Sequence, residues 1–143
     1  MSEKIGIKRL DHVCWAVRKL EDALPLLTDL MGMREVERWQ DEEKGYRGVS
    51  LEVPGGGTGH FELMEPLGED SYLHRFLAQR GPGLHHVTFE VKDIDEAAQA
   101  IRDHGVEPYK GVQRSPGWAE TYIHPKDCGG VLFQFYTREE TRK

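Results

Sequence analysis

Cysteine is scarce in this sequence: Cys14 and Cys128 are the only two. They form no CxxC pair, which excludes a zinc ribbon, a thioredoxin-type motif and a disulfide framework. A reducing, cytoplasmic setting is expected. Long apolar runs are also missing. No stretch approaches the roughly 20 apolar residues that span a bilayer. The opening MSEKIGIKRL has no apolar signal core, so neither a membrane partner nor secretion is expected. Basic blocks are absent as well. Lys and Arg number 19 against 25 Asp and Glu, for a net charge of −6 and a pI near 5.6. Nucleic-acid binding through phosphate neutralisation is therefore not expected. What is present is 143 residues, enough for a single domain with its own core. Seven histidines bound the supply of imidazole ligands.

The chain repeats itself once. Leu10-Asp11-His12-Val13-Cys14-Trp15-Ala16-Val17 aligns with Leu84-His85-His86-Val87-Thr88-Phe89-Glu90-Val91. Each copy runs into a helix-like stretch that stops at glycine, Leu20 to Met31 before Gly32 and Ile94 to His104 before Gly105. Each half later carries a strand-like segment, Phe61-Glu62-Leu63 and Phe133-Gln134-Phe135. Fifty positions separate His12 from Glu62, and 48 separate His86 from Gln134. Two copies at this period do not make a solenoid.

Strand alternation sorts these residues by face. Val13, Trp15, Val17, Phe61 and Leu63 form an apolar face in the first half. Val87, Phe89, Val91, Phe133 and Phe135 do so in the second. The opposite face carries His12, Glu62, His86 and Gln134. The apolar face is expected to pack on the helices and leave the other one open. Asp93 followed by Glu96 reads as a helix start, and Gly105 as its left-handed stop. The first helix is expected to begin near Asp22, with Pro25 in its first turn. Ser71 to Gln79 reads as a third short helix, and Gly55 to Gly59 as a hairpin turn. Arg114 and Trp118 are read as part of a surface loop.

Four polar residues at equivalent places in two repeats suggest one shared site. Two imidazoles, one carboxylate and one amide oxygen suit a divalent first-row metal, with open positions for substrate oxygens. Repeat alignment selects His86 over His85. His60 and His104 are read as surface residues, and His74 as part of the linker helix. Cys14, on the His12 face, reads as a small lining residue.

LDHVCWAV, FELMEP, GLHHVTFEV with KDIDEA, and HPKDCGGVLFQF together resemble the vicinal oxygen chelate superfamily, also known as the glyoxalase/bleomycin resistance/dioxygenase superfamily. HPKDCGGVL points to its methylmalonyl-CoA epimerase branch more than to glyoxalase I. The resemblance implies an α+β fold in one domain spanning 1–143, built of two tandem βαβββ modules whose curved mixed sheets form a shared metal-site cleft. The modules would cover about 8–66 and 84–137, with a linker helix region at 67–83. It implies metal ligands at His12, Glu62, His86 and Gln134, with Co, Zn, Ni or Mn all compatible. It also implies a homodimer.

In that branch the last-strand ligand is usually glutamate and the first-half one glutamine. Here the two are exchanged, so Glu62 is expected to take the basic role. Glu43, in a stretch like the one holding the branch's second catalytic glutamate, is the candidate second acid/base. Lys126 is the candidate contact to a CoA phosphate. The function so implied is a metal-dependent epimerase or isomerase that abstracts the α-proton of a 2-substituted acyl-CoA, most simply methylmalonyl-CoA, through a metal-stabilised enolate. Two alternatives stand beside it: a glyoxalase I-like lyase acting on a thiol hemithioacetal, and a non-catalytic small-molecule-binding member. An iron dioxygenase would want a carboxylate where Gln134 stands.

Overall fold

The computed structural model describes residues 4–57 and 59–139. Thr58, within the glycine-rich turn, lies outside them. Chain order runs β1 (Ile7–Ala16), α1 (Leu20–Pro25), β2 (Arg34–Asp41), β3 (Tyr46–Glu52), β4 (His60–Pro66) and α2 (Leu73–Arg80). It continues through β5 (Gly83–Val91), α3 (Ile94–Asp103), β6 (Tyr109–Ser115), β7 (Trp118–Ile123) and β8 (Leu132–Arg138). This is βαβββ twice, the α+β architecture expected, with α2 between the copies. No helix among the described residues is long and apolar enough to cross a membrane.

The chain divides into two compact units, residues 12–85 and residues 4–11 with 86–139. In the first, the strand order is β2-β3-β4-β1. β1 and β4 run parallel through His12↔His60, Cys14↔Glu62 and Ala16↔Met64. β3 pairs antiparallel with both β2 and β4. Its core joins Val17, Leu20, Ala23 and Leu27 to Val49, Leu51 and Leu63, with Trp15 and Phe61 against them. That is the apolar strand face read from alternation, covered by α1 and the turn after it. Gly48 of β3 is required by this packing: a Cβ there would lie 2.5 Å from Trp39 Cζ2 and 2.8 Å from the Leu63 carbonyl.

In the second unit the order is β5-β8-β7-β6, again with the inner pair parallel, through His86↔Leu132, Thr88↔Gln134 and Glu90↔Tyr136. Val91, Ile94, Ala97, Ile101, Ala119 and Phe135 form the core, flanked by Phe89 and Phe133. Asp93 caps α3 by accepting from the Glu96 backbone N–H at 2.9 Å. Gly105 follows the helix at φ +93°, a conformation that costs glycine little.

Three expectations need correction. The first helix starts at Leu20, not near Asp22, so Pro25 is its sixth residue. There proline lacks the N–H that would bond four residues back. The chain widens into a π turn over Leu26–Leu30, closed by the Met31 N–H bonding to the Leu26 carbonyl at 3.0 Å. Arg114 and Trp118 are not in a loop but in β6 and β7, joined by a tight turn with Gly117 at φ +75°. Finally, the non-core face of the first unit is not open throughout. Leu73 and Leu77 of α2 bury Cys14, Ala16 and Met64 there, with Tyr46 and Phe76 at the edge.

Candidate functional site

In the first unit the parallel register places Glu62 of β4 beside Cys14 of β1, two residues from His12. His12 Nε2 and Glu62 Oε1 lie 3.5 Å apart, with side chains 15% and 20% exposed. This is long for a strong hydrogen bond. Two ligand atoms each about 2.1 Å from one ion stand roughly 3.0–3.4 Å apart, so the spacing and the donor types fit a shared divalent metal. Burial, and then the Glu62 charge, push the Cys14 thiol well above its ordinary range. Cys14 is buried beside Glu62 and is a small neutral lining group at pH 7, as read from the sequence.

The second unit repeats this register with different chemistry. Gln134 of β8 stands opposite Thr88 of β5, the position equivalent to Cys14. The Thr88 hydroxyl donates to Gln134 Oε1 at 2.8 Å. Gln134 Nε2 donates to Glu120 Oε2 at 2.5 Å, and the Tyr122 hydroxyl donates to the same oxygen at 2.8 Å. A carboxylate accepts only, so Glu120 fixes which end of the amide is nitrogen. Oε1 has two lone pairs, and the Thr88 bond uses one. An amide oxygen of this kind also fits a divalent ion. His86 is half-buried on β5, two residues before Thr88.

A second polar network lies further along the same strands. The Tyr136 hydroxyl donates to Asp11 Oδ1 at 2.6 Å. Arg9 donates to the Tyr136 oxygen at 2.9 Å and to Glu90 Oε1 at 2.8 Å. Trp118 stacks on Tyr136 with ring centroids 4.3 Å apart and planes 8° from parallel. Burial, reinforced by the bond to Asp11, pushes the Tyr136 hydroxyl up to about 12. Burial followed by the Glu120 hydrogen bond raises Tyr122 as well. Both hydroxyls hold their protons at neutral pH.

Glu120, Tyr122 and Tyr136 were missed in the sequence reading. Alternation in Trp118-Ala119-Glu120-Thr121-Tyr122-Ile123 carries the signal, since the buried Ala119 and Thr121 alternate with Glu120 and Tyr122. Reading that stretch as a loop hid it. Of the other candidates, Glu43 is exposed in the turn between β2 and β3, and Lys126 is exposed in a short 3₁₀ turn over Pro125–Asp127. His60 and His104 are exposed as expected, and His74 lies exposed on α2. His85 packs edge-on against Phe76, centroids 5.1 Å apart. A cavity of about 480 Å³ in the second unit is lined by Ile5, Ile7, Ala100, Ile101, Val106 and Ile123, with Lys4 and His104. It holds none of the candidate ligands.

Comparison with known proteins places this geometry. Residues 11–122 match the family described as the glyoxalase/bleomycin resistance protein/dioxygenase superfamily. The chain is 34% identical over 137 residues to the ethylmalonyl-CoA/methylmalonyl-CoA epimerase of Cereibacter sphaeroides, covering 90% of this chain and 96% of that one. The crystal structure of methylmalonyl-CoA epimerase from Mycobacterium tuberculosis superposes with a TM-score of 0.76 at 33% identity, over 97% of this chain and 93% of that one. A methylmalonyl-CoA epimerase in complex with methylmalonyl-CoA and NH4+ superposes at 0.73 with 33% identity, over 95% of this chain and all of that one.

Proposed function

The chain belongs to the glyoxalase/bleomycin resistance protein/dioxygenase superfamily, and we propose that within it the protein is a metal-dependent epimerase of 2-substituted acyl-CoA thioesters, with methylmalonyl-CoA as substrate. The observation that carries this reading is the half-buried His12–Glu62 pair at ligand spacing, repeated in register by Gln134. The relatives supply the substrate class, since proteins alike over nearly their full length are epimerases of this thioester.

We assign His12, Glu62, His86 and Gln134 as the metal ligands, a donor set that suits a divalent first-row ion. A divalent ion held there, Co, Zn, Ni or Mn, supplies Lewis acidity toward the substrate oxygens. Glu62 carries the basic role and accepts the α-proton, leaving an enolate. Glu43 returns a proton to the opposite face, which inverts the centre. Gln134 cannot exchange a proton at neutral pH, so proton transfer falls to the first half of the chain. Lys126 meets a phosphate of the CoA moiety as a point charge. A homodimer in the cytoplasm completes the proposal.

The test is incubation with methylmalonyl-CoA in D₂O, with and without each ion. Metal-dependent deuteration at the α-carbon is the expected result. No exchange with any ion removes the epimerase reading.

A further inference from the structure

Strand β7 presents a carboxylate that the proposed proton transfer does not use. Glu120 Oε2 accepts from Gln134 Nε2 at 2.5 Å and from the Tyr122 hydroxyl at 2.8 Å. Two donors therefore converge on one carboxylate oxygen. The far end of the Gln134 amide is held too, by the Thr88 hydroxyl at 2.8 Å. Turning the amide over would set Oε1 against the Glu120 carboxylate and lose the bond between them. Donation from Nε2 to an anion also polarises the amide, shifting electron density toward Oε1.

We propose that Glu120 is a positioning residue for Gln134. Its charge, acting through Nε2, orients the amide and makes Oε1 a stronger metal donor than an ordinary glutamine. A carboxylate behind a metal-bound histidine works the same way, fixing the ring and raising its basicity. Here the group in between is an amide. The negative charge that a glutamate at position 134 would bring directly sits one hydrogen bond further out, on the neighbouring strand. Glu120 touches neither substrate nor ion in this role. The inference rests on the metal-centre reading above.

Calorimetric titration of the metal-free full chain with Co²⁺ and with Zn²⁺ tests it. Glu120→Gln keeps an oxygen that can accept from Nε2 and loses only the charge. Its dissociation constant for the ions is expected to rise about ten- to a hundredfold. The double variant Glu120→Gln with Gln134→Glu exchanges amide and carboxylate between the two positions, and is expected to bind near the wild-type value. Wild-type protein that binds neither ion overturns the metal-centre reading itself. Wild-type binding with unchanged affinity in Glu120→Gln overturns only the role of Glu120. Loss in Glu120→Gln without recovery in the double variant also overturns that role, because it assigns Glu120 to holding the fold.

Discussion

In the first module Glu62 stands opposite Cys14, and the adjoining part of that face is sealed by Leu73 and Leu77 of α2. In the second module Gln134 stands opposite Thr88, and the corresponding face is filled by hydrogen bonds among Thr88, Gln134, Glu120, Tyr122, Tyr136, Asp11 and Arg9. The backbone register is the same in both. What differs is how each face is satisfied, by apolar cover in one and by polar pairing in the other. The difference bears on chemistry. A carboxylate can take up a proton. An amide pinned at both atoms is suited to hold still. In the proposed reading the repeat supplies the frame twice, while acid–base work and fixed ligation are divided between the copies.

The sharpest way to break this comparison is to move the carboxylate. Glu62→Gln is expected to reduce α-deuteration of methylmalonyl-CoA by a factor of about 10²–10⁴, the usual weight of a general base. Gln134→Glu should change it only a few-fold. Full activity in Glu62→Gln would falsify the division of labour. The two kinds of cover come next. Leu73 of α2 is fully buried, and Leu73→Ala should cost about 2–5 kcal/mol. Tyr136→Phe removes a hydroxyl from the network but leaves Arg9 and Asp11 paired at 2.6 Å, so about 1–2 kcal/mol is expected. Urea melts of the two variants read this out directly, and a reversed order would mean that the polar face carries more of the stability.

The smallest effect concerns pH. Burial, and then the nearby Arg80, lower the affinity of His85 for a proton. The unfolded chain, titrating near pH 6.5, therefore binds that proton more readily than the fold does. The stability contributed by neutral His85 is present above about pH 6.5 and is lost as pH falls through the lowered folded value. Thermal melts between pH 5 and 7 should slope upward with pH, and His85→Phe should flatten that slope. An unchanged slope would show that another group sets it.

Much of the frame was legible in the sequence because it follows from alternation. Trp15, Phe61, Leu63, Phe89, Phe133 and Phe135 each lie on the core side assigned from their spacing, and the Asp93 cap needed no tertiary information. The His12–Glu62 pair was legible because a repeat aligned two strands otherwise 50 positions apart. Other features depended on contacts that spacing does not encode. Pro25 suits a first turn, yet Leu20 extends the helix backward because its side chain is buried in the core. The covered Cys14 face needed the position of α2. Glu120 became visible only once β7 was paired to β8 and set its carboxylate against Gln134.

The parallel pairing of β1 with β4 also has a bearing on how the protein comes into being. Parallel neighbours cannot be joined by a hairpin. Between Ala16 and His60 lie 43 residues, and between Val91 and Leu132 lie 40. Closing such loops costs chain entropy before any contact repays it, which makes these contacts slow to form. Each half therefore assembles its proposed ligands late in its own folding, after the hairpins β2–β3 and β6–β7 have had time to form locally. A nascent chain with only its local structure would offer isolated histidines and no paired donors.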